Sequence, residues 1–213
     1  MKDLSNHRKS YGKSALTEEL LPANPLFLFD SWFKELEKLQ GRSEINIMTV
    51  SSIGLDGFPK SRIVLLKKYS EEGFTFFTNY NSAKGKAISA NPKVCISFFW
   101  EEMERQVIVK GIAERTTEEE SDAYFNSRPI GSKLGAIASD QSEVIESREW
   151  LDRKLHQLES ALDTTMIKRP VHWGGYIVRP VEIEFWQGRA NRMHDRIIYK
   201  IENDEWVRCR LSP

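Results

Sequence analysis

The chain has 213 residues, enough for one large domain or two small ones with a substantial core and no covalent staples. It is 40% hydrophobic and 29% charged, an ordinary globular composition. Its 31 Lys and Arg balance 31 Asp and Glu, which excludes the basic surplus of a general nucleic-acid binder but leaves room for a local pocket that takes a small phosphorylated ligand.

Cys95 and Cys209 form neither a disulfide framework nor a metal-type spacing, and His7, His156, His172 and His194 are scattered, so no metal site is expected. The first residues lack the apolar core of a signal peptide, and no apolar run approaches the roughly 20 residues that span a bilayer. A reduced, cytoplasmic setting is the expectation.

Residues 1–23 are polar and unpatterned and read as an arm. Asn24-Pro25 then starts a helix, with Phe29, Trp32, Phe33, Leu36 and Leu39 on its apolar face and Gly41 at its end. Strands are expected over Ile45 to Ile53 and Arg62 to Lys67, joined by a turn at Leu55-Asp56-Gly57-Phe58. The unbroken run Ile63-Val64-Leu65-Leu66 suggests a strand buried on both faces. Phe74 to Thr78 is a further strand, and a short helix runs from about Ser82 to Ala90 before Asn91-Pro92. Val94 to Trp100 and Gln106 to Ala113 read as an antiparallel pair. Thr117-Glu118-Glu119-Glu120 matches a capping box, and residues 147–162 carry Leu151, Leu155, Leu158 and Leu162 on one helical face. The chain closes with strands near 173–179, 181–187, 192–201 and 206–210, the last two joined by a turn at 202–205. No repeat or interdomain linker is visible. The pattern is α+β, mainly antiparallel β, with a barrel core.

Phosphate-loop, dinucleotide, hydrolase-elbow and zinc-protease motifs are absent. What stands out is cations inside apolar β segments. Arg62 and Lys67 bracket four apolar residues, so either an anion waits at the ends of that strand or both side chains snorkel to solvent. Arg192-Met193-His194-Asp195-Arg196 falls in an expected strand, where alternation puts Arg192, His194 and Arg196 on one face. That face suits phosphate or carboxylate recognition; the alternative is a solvated face with Asp195 as a structural ion-pair partner. Trp186, just before it, is core by default but beside arginines can wall an aromatic ligand. Tyr124 to Arg128 ends the capped helix, where an arginine also simply suits the helix dipole, and Ser132 follows. Lys84 and Gln141-Ser142 carry almost no signal alone.

Together these stretches resemble the pyridoxamine 5′-phosphate oxidase family, from about Arg8 to Pro213. The shared motifs, in order, are R-I-V-L-L-K at 62–67, T-N-Y-N-S-A-K at 78–84, E-R-Q-V at 104–107, Y-F-N-S-R-P at 124–129, Q-S at 141–142 and F-W-Q-G to N-R-M-H-D-R at 185–196. The resemblance implies an FMN-binding split β-barrel with peripheral helices, in one domain over 24–213. It assigns FMN contacts to Arg62, Ile63, Val64, Leu65, Leu66, Lys67, Phe77, Thr78, Lys84, Gln141 and Ser142, with Gln106, Trp186 and Arg196 at the flavin ring. It gives the substrate's phosphate to Lys67, Tyr124, Arg128 and Ser132, and the pyridine ring and reacting carbon to Arg192 and His194 as the catalytic pair. Arg8 and Tyr11 match an arm element that can close over the substrate.

The implied reaction is oxidation of pyridoxamine 5′-phosphate and pyridoxine 5′-phosphate to pyridoxal 5′-phosphate, by hydride transfer to flavin and reoxidation by O2 with release of H2O2. A homodimer with FMN at the subunit interface is also implied. Three positions depart from the family pattern: Ala83 where many relatives have arginine, Ile137 for a common tryptophan, and Ala190 where proline is frequent. Ala83 removes one FMN phosphate contact. Two rival readings remain open: a split-barrel protein with another substrate, or with deazaflavin or haem, and a non-catalytic flavin or vitamin-phosphate binder.

Overall fold

The computed structural model describes residues 2–39, 44–161 and 167–213; Gly41 and Leu162 lie outside them. In chain order the elements are α1 (Pro25–Glu37), β1 (Ile47–Ile53), β2 (Pro59–Leu65), β3 (Lys68–Ser70), β4 (Gly73–Asn79), α2 (Ala83–Ala90) and β5 (Lys93–Trp100). There follow β6 (Arg105–Arg115), α3 (Glu118–Ser127), α4 (Ile130–Ala138), α5 (Arg148–Ala161), β7 (Trp173–Gln187), β8 (Asp195–Glu202) and β9 (Glu205–Leu211). The strand order is β2-β1-β5-β6-β7-β4-β3, with β8 on β7 and β9 on β8. The β3–β4, β4–β7, β7–β8 and β8–β9 ladders are antiparallel. Among the described residues no helix is long and apolar enough to cross a membrane. The chain packs as two compact units.

Unit 1 holds residues 1–50, 95–111 and 180–213. Asn24 caps α1 by accepting the Leu26 N–H, and Pro25 occupies the first helical position, where its missing N–H costs nothing. Phe29, Trp32, Phe33 and Leu36 are buried as their spacing requires, whereas Leu39 lies past the helix end and is 39% exposed. The core is aromatic: Phe29 meets Phe98 at 5.1 Å between centroids, and Trp32 meets Phe185 edge-on at 5.2 Å. Arg105 lies 4.4 Å from the Trp32 ring centroid and donates to Gln187 at 2.8 Å and Glu35 at 2.7 Å, so this buried cation is compensated within the unit. Leu16 and Leu21 of the arm are buried, and Tyr199 donates to the Pro22 carbonyl at 2.9 Å. Asn203 and Asp204, both left-handed, make the two-residue turn between β8 and β9.

Unit 2 holds residues 51–94 and 112–179. Gly57, at φ +82°, supplies the left-handed turn between β1 and β2, closed by the Gly54 N–H on the Phe58 carbonyl at 2.8 Å. The core gathers Phe74, Phe76, Ile88, Phe125 and Val178. Ser82 caps α2 by accepting the Gly85 N–H. Thr117 caps α3 by accepting the Glu120 N–H at 3.1 Å, while the Glu120 carboxylate pairs with Lys68 at 2.8 Å.

Four expectations need correction. β2 starts at Pro59 and ends at Leu65, and it is not buried on both faces: it closes one end of the strand order, and Ile63 is 70% exposed. Only Leu66, beyond the strand, is buried. α4 was not expected, because Pro129 stands in place of a capping side chain and Gly131 and Gly135 dilute the pattern. β7 runs unbroken through Pro180, which falls between the ladder of Trp173–Val178 with β4 and that of Glu182–Gln187 with β8, so its missing N–H interrupts neither. β8 begins only at Asp195, so Arg192 and His194 do not share a strand face with Arg196. Asn191 and Arg192 take positive φ in a 3-10 turn instead.

Thr117→Ala removes the cap of α3 and is expected to lower stability by about 1 kcal/mol. The check is a lower urea midpoint with an unchanged m-value.

Candidate functional site

In unit 2, a cavity of about 460 Å3 is lined by residues from distant stretches of sequence. β2 contributes Ile63, Val64 and Leu65, and Lys67 follows, its N–H fixed to the Thr75 carbonyl at 2.8 Å. β4 contributes Phe77, Thr78 and Asn79; the first turn of α2 brings Lys84; the end of α3 brings Tyr124 and Arg128; Pro129, Ser132, Gln141 and Trp173 complete the lining.

The wall is aromatic. Tyr124 stacks on Phe77 at 4.0 Å and 22°, and Trp173 lies nearly parallel to both, at 5.8 Å from Phe77 and 6.1 Å from Tyr124. The Arg128 guanidinium sits 4.5 Å from the Trp173 centroid, and Lys67 Nζ 5.8 Å from that of Tyr124.

The electrostatics are one-sided. Three cations line the cavity and, among the described residues, no carboxylate does. Burial pulls the Arg128 guanidinium below its usual value, and its Nη1 is buried with no hydrogen-bond partner. Lys84 Nζ donates to Thr78 Oγ1 and to Gln141 Oε1, both at 2.8 Å. Burial first, then the charge of Arg62, brings the Lys84 ammonium down to about 8. A pocket built this way is short of negative charge and rich in donors, which is the demand a phosphate monoester meets.

Arg62 and Ser142 do not line this cavity. They border a neighbouring one of about 290 Å3, with Lys60, Lys86, Asp56, Glu143 and the small Ala83. Arg62 donates to Ser52 at 2.8 Å, and Ser142 takes φ +77°. A third cavity, of about 330 Å3, shares Asn79, Arg128, Ser132, Gln141 and Trp173 with the first. Leu66 is buried and lines none of the three.

Unit 1 brings a second group together. Trp186 and His194 lie 4.6 Å apart, and Tyr11 approaches both, edge-on to Trp186 at 5.7 Å and 5.9 Å from His194. The Arg189 N–H donates to His194 Nδ1 at 3.1 Å, so Nδ1 is the unprotonated nitrogen and a neutral ring carries its proton on Nε2. Asp195 is structural: it accepts from Arg189 and Arg210 at 2.8 Å and from the Leu16 N–H at 3.1 Å. Arg196 finds its anion in Glu184, at 2.8 Å on the adjacent strand, so its charge is met by the protein itself. Arg192 is exposed, Gln106 is half-buried on β6, and Arg8 donates to the Ser5 carbonyl.

Trp173 lines the cavity but carries no signal in the sequence, whereas Asn79 and Pro129 also line it and stand inside the shared motifs without a role assigned to them there. Trp173 and Asn79 meet as register partners across β4 and β7, a pairing that only the folded ladder creates.

Residues 35–161 match the family described as pyridoxamine 5′-phosphate oxidase, and residues 173–213 match one described as the pyridoxine 5′-phosphate oxidase C-terminal dimerisation region. A protein of Flavobacterium johnsoniae named pyridoxine/pyridoxamine 5′-phosphate oxidase is 62% identical over the whole of both chains. One of the same name from Leptospira biflexa is 48% identical, again over the whole of both. Among solved structures, PhzG from Burkholderia lata, in complex with tetrahydrophenazine-1-carboxylic acid, superposes with a TM-score of 0.86 at 25% identity, covering 95% of this chain and 100% of that one. A pyridoxamine 5′-phosphate oxidase-related, FMN-binding protein from Nostoc punctiforme gives 0.68 at 15% identity, covering 91% and 98%. These likenesses give the fold as the split β-barrel of that class, α+β and mainly antiparallel. On the match of its family over more than half its length and on its full-length relatives, the chain belongs to the pyridoxamine 5′-phosphate oxidase family.

Proposed function

We propose that the chain is an FMN-dependent oxidoreductase that converts pyridoxamine 5′-phosphate and pyridoxine 5′-phosphate to pyridoxal 5′-phosphate. The observation that carries this reading is the unit 2 cavity, where Lys67, Lys84 and Arg128 face no carboxylate among the described residues and Arg128 Nη1 is buried without a partner. The full-length relatives named for these two substrates support them over other phosphate esters.

The residues present suit FMN. Arg62, Lys67 and Lys84 supply positive charge for its phosphate, while Thr78, Gln141 and Ser142 supply polar groups for a ribityl chain, beside Phe77 and the strand Ile63 to Leu65. When bound, the flavin would supply a hydride acceptor for the substrate's C4′ carbon and pass the electrons to O2, giving H2O2; the alcohol substrate then gives the aldehyde directly, and the amine substrate gives it once water hydrolyses the imine and ammonia leaves. Gln106, Trp186 and Arg196 are assigned to the flavin ring. Lys67, Tyr124, Arg128 and Ser132 hold the substrate's phosphate, with the Tyr124–Trp173 stack keeping Arg128 in place. Arg192 and His194 orient the pyridine ring, and Arg8 and Tyr11 belong to the arm over it. No acid–base dyad is required, because orientation of two rings is the protein's main task. The match of residues 173–213 to a dimerisation region supports a homodimer.

The purified protein is expected to show a bound-flavin spectrum and, given pyridoxine 5′-phosphate under air, to release H2O2 and pyridoxal 5′-phosphate together. A yellow protein that yields no product would overturn the oxidase reading. Arg192→Ala is expected to depress turnover far more than flavin retention, and Arg62→Ala mainly to weaken FMN. Equal flavin loss in both would show the arginines wrongly assigned.

Lys84 gives the site a pH dependence. In the free protein it loses its proton near pH 8. A phosphate dianion beside it favours the charged form and raises its pKa, so binding above pH 8 takes up a proton. FMN affinity should therefore weaken by up to about tenfold per pH unit above 8 until the raised value is passed. Flavin fluorescence titrations from pH 7 to 9.5 test this, and Lys84→Met should bind more weakly but with a flatter profile.

A further inference from the structure

A buried carboxylate in unit 1 has no part in the roles assigned above. Glu104, just before β6, is 2% exposed and takes a left-handed backbone conformation, φ +54°, unusual for a residue with a side chain. Its backbone is pinned: its carbonyl accepts the Gly188 N–H at 2.7 Å and Gln187 Nε2 at 3.2 Å, and Gln187 is fully buried. Held in this way, the side chain reaches the N-terminal arm. Glu104 Oε2 accepts the N–H of Gly12 at 2.8 Å and of Lys13 at 3.1 Å, and Lys9 Nζ stands 3.8 Å from Oε1. Those amides directly follow Tyr11, whose ring packs on Trp186 and His194. The seat of Tyr11 depends on Gly188 as well: a Cβ there would come within 2.8 Å of Tyr11 Cγ and 3.1 Å of Glu104 Cβ.

We infer that Glu104 is a positioning residue, whose carboxylate clamps the arm by the Gly12 and Lys13 amides and so holds Tyr11 against Trp186 and His194. A charge this buried is stable only while its acceptor sites are filled, so clamp and arm stabilise each other. The kinetic part of the inference rests on the proposed oxidase reading; the clamp itself does not.

The test uses the full chain with Glu104→Ala, Glu104→Gln, Gly188→Ala and Tyr11→Ala. Trypsin cleavage after Lys13 in the native protein, followed by mass spectrometry, should be several-fold faster in Glu104→Ala and Gly188→Ala. It should be intermediate in Glu104→Gln, which keeps an acceptor oxygen. For pyridoxine 5′-phosphate, Glu104→Ala should raise KM on the order of tenfold with a smaller change in kcat. In a Tyr11→Ala background, Glu104→Ala should add little to KM, because it acts through that ring. Unchanged cleavage in the soluble Glu104→Gln and Glu104→Ala proteins overturns the clamp, and additive effects on KM overturn positioning through Tyr11. If the wild-type protein oxidises nothing, the oxidase reading falls, and the cleavage comparison still decides the clamp.

Discussion

Positive charge without a protein counter-charge is the constraint around which the unit 2 cavity is arranged. Removing a cation from water costs several kcal/mol unless another group takes over its solvation. Arg128 meets this with the face of Trp173, and Lys84 with the Thr78 hydroxyl and the Gln141 amide oxygen. These neutral partners position the cations without cancelling them. The free protein thus carries an unmet demand for anion oxygens, paid for by the aromatic and aliphatic burial of the surrounding core.

Unit 1 solves the same problem in the opposite way. Arg105 has Glu35, Arg196 has Glu184, Asp195 has Arg189 and Arg210, and Glu104 has the arm's amides. Each of these four charges is neutralised or capped inside the unit, and beside them three half-buried rings, Tyr11, Trp186 and His194, pack against one another. The first arrangement suits phosphate recognition, and the second suits the packing of aromatic rings.

Local rules were legible in the sequence because their causes are local. Asn24 and Thr117 cap the helices they precede, Asp56-Gly57 turns, and the spacing of Phe29, Trp32, Phe33 and Leu36 buries one face of α1. What failed depended on long-range context. The apolar look of Ile63 to Leu66 said nothing of its place at the end of the strand order, and alternation across 192–196 assumed a strand where the backbone turns through Asn191 and Arg192. The family motifs located most of the cavity lining, including Lys84 and Gln141, which carry no periodic signal. They missed Trp173, which enters through register with β4, and gave no hint that Glu184 would satisfy Arg196.

Glu104 and Asp195 grip the arm through the main-chain amides of residues 12, 13 and 16. A Cβ at position 12 would meet nothing within 4 Å, so the grip does not read the side chain there. At position 12 the instruction for placing the arm is thereby stored in the body of the protein, while Tyr11, Leu16 and Leu21 add the docking of their own side chains. Position 12 can therefore change its side chain and the arm stay docked, provided it keeps its N–H. Proline, which has none, is the one residue that this design bars from all three gripped positions.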